Sequence, residues 1–162
     1  MYEKYTVYPV CFDTPDGEIT IPVHHIVEAE NEYEDNMHVT VSALVKGEEI
    51  CFEKDNTEYT FAGFINQLPE NWNIKCCFSC RHGNFCPTGD YDNEIFCVSD
   101  FAPKQARDLW HVTEDNVERE LRSRTLFGFC DRFEPQSGDY YSYSNYLDHV
   151  NKRVKKEPNN DE

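Results

Sequence analysis

The chain has 162 residues, and 31 acidic side chains stand against 15 basic ones for a formal net charge of −16 at pH 7. That length suits one domain with its own hydrophobic core, and an aromatic content of 14% excludes a disordered polyelectrolyte. The acidic balance disfavours nucleic acid and anionic lipid as direct partners and favours a basic protein partner or simple solubility as a solvated acidic face.

The charge is uneven: residues 1–60 hold 14 acidic and 3 basic residues, a balance of −11. Met1–Tyr5 shows no basic leader followed by an apolar run. No stretch approaches the roughly 18 continuous apolar residues of a membrane helix. The expectation is a cytoplasmic chain whose thiols stay reduced. The eight cysteines are then better read as packing or metal-binding thiols than as disulfides. In an oxidising compartment they could pair in about 105 ways.

In chain order, Tyr5 to Phe12 reads as a strand, and Thr14-Pro15-Asp16-Gly17 is built from turn residues. Ile19, Ile21 and Val23 alternate with polar positions, and Pro22 marks this run as an edge strand. Glu28 to Asn36 is an acidic loop. Val39, Val41, Ala43 and Val45 alternate as a half-buried strand, and Lys46-Gly47-Glu48 turns the chain back into Ile50-Cys51-Phe52. Phe61, Phe64, Ile65 and Leu68 share one helical face, with Thr60 as N-cap and Pro69 as terminator.

Asn73 to Phe78 is expected to be a strand that delivers the first thiols. Ser99 or Asp100 would cap a helix opening near Pro103. A further helix starts at Thr113–Asn116, with Val117 and Leu121 on one face and Arg119, Arg122 and Arg124 turned outward. Thr125 to Phe133 is extended. The expected fold is therefore α+β: an antiparallel, β-rich amino-terminal part, a cysteine knuckle, and two or three short helices. Residues 1–150 form a single domain, and residues 151–162 a polar, disordered tail.

The chemistry centres on residues 74–97, which contain five of the eight cysteines. Cys77-Phe78-Ser79-Cys80 is a C-x-x-C turn, the spacing with which one tight turn offers two thiolates to a tetrahedral ion. Cys97 ends a short apolar run and Cys130 follows Phe127-Gly128-Phe129. The expected ligands of one structural zinc are Cys77, Cys80, Cys97 and Cys130, with Cys86 or His82 as the substitute for any that is misplaced. Cys76 should face away from Cys77, into the core. Cys11 and Cys51, in strand-like runs, are expected to be packing residues.

No phosphate loop, H-E-x-x-H or G-x-S-x-G occurs, and none of the six histidines falls in a motif with a mechanism. The expected function is non-enzymatic: an acidic protein-binding module of immunity or inhibitor type, directed at a basic protein. The alternative is a metal- or thiol-dependent enzyme using Cys86 or His82 beside the cysteine cluster.

Five sequence elements, Cys77-Phe78-Ser79-Cys80, Phe85-Cys86-Pro87-Thr88-Gly89, Phe96-Cys97, Cys130-Asp131-Arg132-Phe133-Glu134-Pro135 and Gly138-Asp139-Tyr140, together resemble a bacterial family known only as a domain of unknown function. The likeness covers roughly residues 60–145. It departs in the extra Cys76 and Cys86 and in the repeated tyrosines from Tyr140 to Tyr146. It implies that the same four thiols stand out together, and it carries no activity.

Overall fold

The computed structural model describes residues 1–89 and 91–154. The fold is α+β, and its frame is a five-stranded antiparallel sheet in the order β4-β3-β2-β1-β5. Strands β1 (Tyr2–Thr14) and β2 (Gly17–Ala29) form one long hairpin in continuous register from Tyr2↔Ala29 to Thr14↔Gly17. Pro15 and Asp16 make the turn, and Gly17 takes φ +114°, a region closed to most side chains. Strands β3 (His38–Val45) and β4 (Glu48–Lys54) are joined by Lys46 and Gly47, both at positive φ, as a two-residue hairpin turn that follows the sheet twist requires.

β2 lies inside the sheet, which corrects the edge-strand expectation raised by Pro22. The proline is tolerated because pairing to β3 begins only at His24↔Ser42. Its partner Pro9 similarly lies outside the β1–β5 pairing, which reaches only to Cys11↔Lys75. Neither proline therefore has to donate to a second neighbour.

One face of the sheet is the core. Val10, Phe12, Val23, Val27, Val39 and Val41 are almost fully buried there. They pack with Phe61 and Phe64 of α1 (Thr57–Ile65) and with Phe78, Leu126 and Phe127 from the chain beyond that helix. Each fully buried side chain of this size contributes about 1.5–3 kcal/mol. The helix is capped four residues before the expected Thr60. Asn56 is its N-cap, with a side chain that accepts from the Tyr59 amide at 2.8 Å, while the Thr60 hydroxyl donates back to the Asn56 carbonyl at 2.6 Å.

β5 is short (Asn73–Lys75) and gives way to a turn at Cys76, where a strand to Phe78 was expected. A second, three-stranded sheet joins β6 (Gly83–Asn84), β7 (Ile95–Cys97) and β8 (Ser123–Arg124). Between β7 and β8 come a 3-10 turn (Ala106–Leu109), α2 (Trp110–Thr113) and α3 (Asn116–Arg122). Neither Ser99 nor Asp100 caps the first of these. Gln105 holds the N-cap position, and Asp108 accepts from the Lys104 and Gln105 amides. Asp115 caps α3 through the Val117 and Glu118 amides.

The outward-arginine reading holds for Arg124, which is exposed, and is overturned for Arg119 and Arg122. Val117 and Leu121 are 66% and 65% exposed, whereas the Arg119 and Arg122 side chains turn inward. The last helix, α4 (Tyr146–Val154), continues four residues into the segment expected to be a tail; residues 155–162 lie outside the described residues. Among the described residues no helix is long and apolar enough to cross a membrane.

Candidate metal centre

The C-x-x-C turn is shaped by its own backbone. The Ser79 amide donates to the Cys76 carbonyl (3.1 Å), Cys80 to Cys77 (3.3 Å) and Gly83 to Cys80 (3.0 Å). The Ser79 hydroxyl accepts from the Cys76 amide and donates to the Ile74 carbonyl, which locks the exit from β5. Two further segments are then tied to this turn. The Cys77 and Phe78 amides donate to Gly128 (2.6 Å) and Leu126 (3.1 Å), which brings the Cys130 turn alongside. Gly83 pairs with Cys97 across β6 and β7, three residues after Cys80.

These contacts place Cys77, Cys80, Cys97 and Cys130 on the wall of one cavity of about 570 Å³, together with His82 and Cys76. Cys80 is buried, Cys77 and Cys97 are half-buried and Cys130 is exposed, and all four are free thiols. Two glycines make the approach possible. A Cβ on Gly83 would lie 2.2 Å from the Cys77 carbonyl oxygen, and one on Gly128 would lie 3.0 Å from the Cys77 sulfur. Gly83 is required by the way the turn folds back on Cys77, and Gly128 by the passage of Cys77 from a segment distant in the chain.

Burial pushes the Cys77 thiol up to about 12, and the neighbouring Cys76, Cys80, Cys97 and Cys130 add to the effect. Burial likewise raises Cys80, with contributions from Cys97 and Cys130. Cys77 and Cys80 thus feel the other thiols of the cavity. As neutral thiols these groups need no counter-charge at neutral pH; held as thiolates they would require a cation. As placed, the described His, Cys, Asp and Glu side chains form no group of three or more that could hold a metal ion.

The other cysteines separate clearly. Cys76 is fully buried in the main core, and burial raises its thiol to about 11. A turn, where strand alternation was expected, separates it from Cys77. Cys11 is buried, as a packing residue should be, but Cys51 is exposed on β4, which corrects its assignment. His82 stays at the cavity, with its Nε2 3.8 Å from Glu134; burial, and then Arg81, lowers its pKa. Cys86 lines no part of this cavity. It sits beside the Thr88 hydroxyl at 3.3 Å and Arg119 at 3.8 Å.

Arg122 is a supporting residue that sequence reasoning assigned to the solvent. Its Nη1 donates to the Cys97 carbonyl at 3.2 Å, and its guanidinium engages both carboxylate oxygens of Asp100 at 2.6 and 2.8 Å. Glu118 takes its Nε at 2.9 Å. Hydrogen bonding to Arg122 holds the Asp100 carboxyl down at about 2. The arginine thereby fixes the backbone of a candidate ligand, the part played by outer-shell groups in metal sites.

A second buried polar group occupies the core face of β2. His25 is 3% exposed, and its Nε2 meets the Thr57 hydroxyl at 2.9 Å. That hydroxyl donates to Asp92, which also accepts from the Thr57 amide. The His25 Nδ1 is buried without a hydrogen-bond partner among the described residues. Comparison with protein families, with characterised proteins and with solved structures finds no match to this chain.

Proposed function

We propose that this chain is a non-enzymatic, acidic protein-binding module of immunity or inhibitor type, cross-linked internally by one structural zinc. The observation that carries the reading is a division within the molecule. All residues lining the thiol cavity come from positions 76–133, whereas the −11 charge belongs to residues 1–60. The candidate metal site and the acidic surface are built from different parts of the chain. This separation suits a structural ion beside a binding surface better than an ion acting on a bound substrate.

Cys77, Cys80, Cys97 and Cys130 would hold the zinc, and four protein thiolates form a closed site with no open position for substrate. The ion would tie the C-x-x-C turn to β7 and to the segment after Gly128. Its binding energy would then count directly as folding energy, which in zinc peptides amounts to about 10–16 kcal/mol. Elemental analysis of protein purified without added metal should give about one zinc per chain. Metal-free protein with all eight thiols titratable in denaturant would end the proposal.

One observation favours the enzyme alternative. Burial pushes the Cys86 thiol up, but hydrogen bonds from Thr88, Thr113 and Arg119 outweigh it and hold the pKa below its ordinary value. A lowered thiol is the nucleophile such an enzyme needs, although Cys86 is only 4% exposed. A turnover abolished by Cys86→Ala, with zinc retained, would replace the binding proposal.

A further inference from the structure

The core face of the five-stranded sheet is covered, whereas the opposite face is covered only at its β5 end, where Cys11 is buried and Lys75 lies over the Phe129 and Phe133 rings. Register places Tyr5, Ile26, Thr40 and Glu53 in one row across the four long strands, and Val7, His24, Ser42 and Cys51 in the next. Tyr5 is 57% exposed, Val7 44% and Leu44 64%. The Tyr5 ring stacks on His24 at 5.8 Å, which confirms that the two share this side. An exposed apolar centre on a paired, rigid sheet is unusual for a surface that meets only water.

The centre is framed by carboxylates of one sign. Glu3 pairs with Glu28 at one end of the face, Glu53 ends the Tyr5 row, and Glu49 lies opposite Leu44. Lys75 is the single lysine or arginine that the described strands place on this side, and Glu18 holds it at 2.6 Å. Lys4 and Lys54 fall on the other parity. An anionic lipid or nucleic acid would be repelled. A second copy of the chain would set one acidic frame against another, a like-charge arrangement that costs stability.

From this geometry we infer that the open face of the sheet is the docking surface, and that its occupant is a basic protein segment. That segment would place aliphatic side chains on Tyr5, Val7, Ile26 and Leu44 and lysines or arginines against the Glu frame. The inference rests on the binding function proposed above and gives it a location. It also moves the contact away from the acidic loop of residues 30–36. There Glu34 is half-buried at φ +62°, and burial, with Asp92 nearby, raises its carboxyl pKa, so this glutamate is poorly placed to meet a partner.

The test uses two labelled synthetic peptides of equal charge, one alternating lysine with valine and one alternating lysine with serine. Binding is read by fluorescence anisotropy across a salt series and by amide shift mapping on the full chain. The lysine–valine peptide should bind at least about tenfold tighter than the lysine–serine peptide, since a purely electrostatic surface would not separate them. Shifts should centre on Val7, Ile26 and Ser42. Val7→Thr with Leu44→Ser, both at exposed strand positions, should weaken the valine peptide about tenfold and leave the fold unchanged. Glu49→Lys with Glu53→Lys should weaken both peptides and flatten the salt dependence.

Shifts confined to residues 30–36, or equal affinity for the two peptides, would overturn the sheet face and leave the acidic-binder proposal standing. No binding of either peptide at low salt would overturn both. A dimer in sedimentation that Val7→Thr with Leu44→Ser abolishes would identify a second copy as the occupant and reject the basic segment.

Discussion

The two sheets of this protein are built on different principles. The five-stranded sheet has strands of up to 13 residues in unbroken register. It is held by ladder hydrogen bonds and by a valine-lined face against α1. The second sheet has strands of two or three residues, too short to persist alone. What holds that region is a set of cross-links between distant segments: arginines paired with carboxylates, main-chain bonds to carbonyls, and four thiols around one cavity. A long sheet can be stabilised by area, whereas a short one depends on individual side chains. Single substitutions should therefore be felt very differently in the two halves.

The largest contrast is expected between cysteines. Replacing Cys97 with Ser should cost several kcal/mol, because a closed zinc site would lose a ligand. The loss should fall on the second half, read as lost amide-exchange protection around β6, β7 and β8 while β1–β3 stay protected. Cys11→Ser should cost about 1 kcal/mol and Cys51→Ser less than about 0.5 kcal/mol, since Cys51 is exposed. Equal costs for Cys97 and Cys11 would show a plain thiol core without metal.

Acid should strike the long sheet through one residue. Burial, with Lys4 adding to it and Asp92 opposing it, lowers His25 from its ordinary 6.5 to about 4. The folded chain therefore keeps His25 neutral where the unfolded chain takes up a proton. Stability from this group is full above pH 6.5 and falls by about 1.4 kcal/mol per pH unit until about pH 4. Urea melts between pH 7 and 4 should show this slope in the wild type and lose it in His25→Gln. A slope unchanged in the variant would remove His25 as its source.

Glycine contacts sharpen the same comparison. A methyl on Gly83 meets the Cys77 carbonyl, a backbone atom that cannot rotate away, so Gly83→Ala should cost about 1–3 kcal/mol. Gly138→Ala, where a Cβ would meet nothing within 4 Å, should be near neutral. Thermal denaturation of the pair settles the point, and a neutral Gly83→Ala would mean that the knuckle is loosely packed.

The remaining contrast lies within α3. Arg119 donates to Glu94 at 2.6 Å and to the Thr113 carbonyl at 3.2 Å. Arg119→Ala should cost about 1–3 kcal/mol by stranding a half-buried carboxylate. Leu121→Ser, at a position 65% exposed, should change stability by less than about 0.5 kcal/mol. The reverse order would restore the helix face expected from hydrophobic pattern alone.

Period-two alternation, together with turn residues at Pro15-Asp16-Gly17 and Lys46-Gly47, determined the amino-terminal sheet by itself. Those signals are local: they depend on residues next to one another and on which face a side chain takes. The C-x-x-C spacing also marked the thiol turn locally. Tertiary structure alone decided the remainder. Pro22 could occupy an inner strand because β3 pairs only from His24 onward, and α3 turned its arginines inward because Glu94, Asp100 and the Cys97 carbonyl were there to receive them. Gly83 and Gly128 were needed because Cys77 passes against them. Each outcome depends on a partner at least 20 residues away in the chain except two: Pro22, which depends on where the neighbouring strand's pairing stops, and Gly83, which depends on how the turn folds back on Cys77. A local pattern carries no record of that distant partner, because burial of a charged or polar group is set by what awaits it in the folded interior.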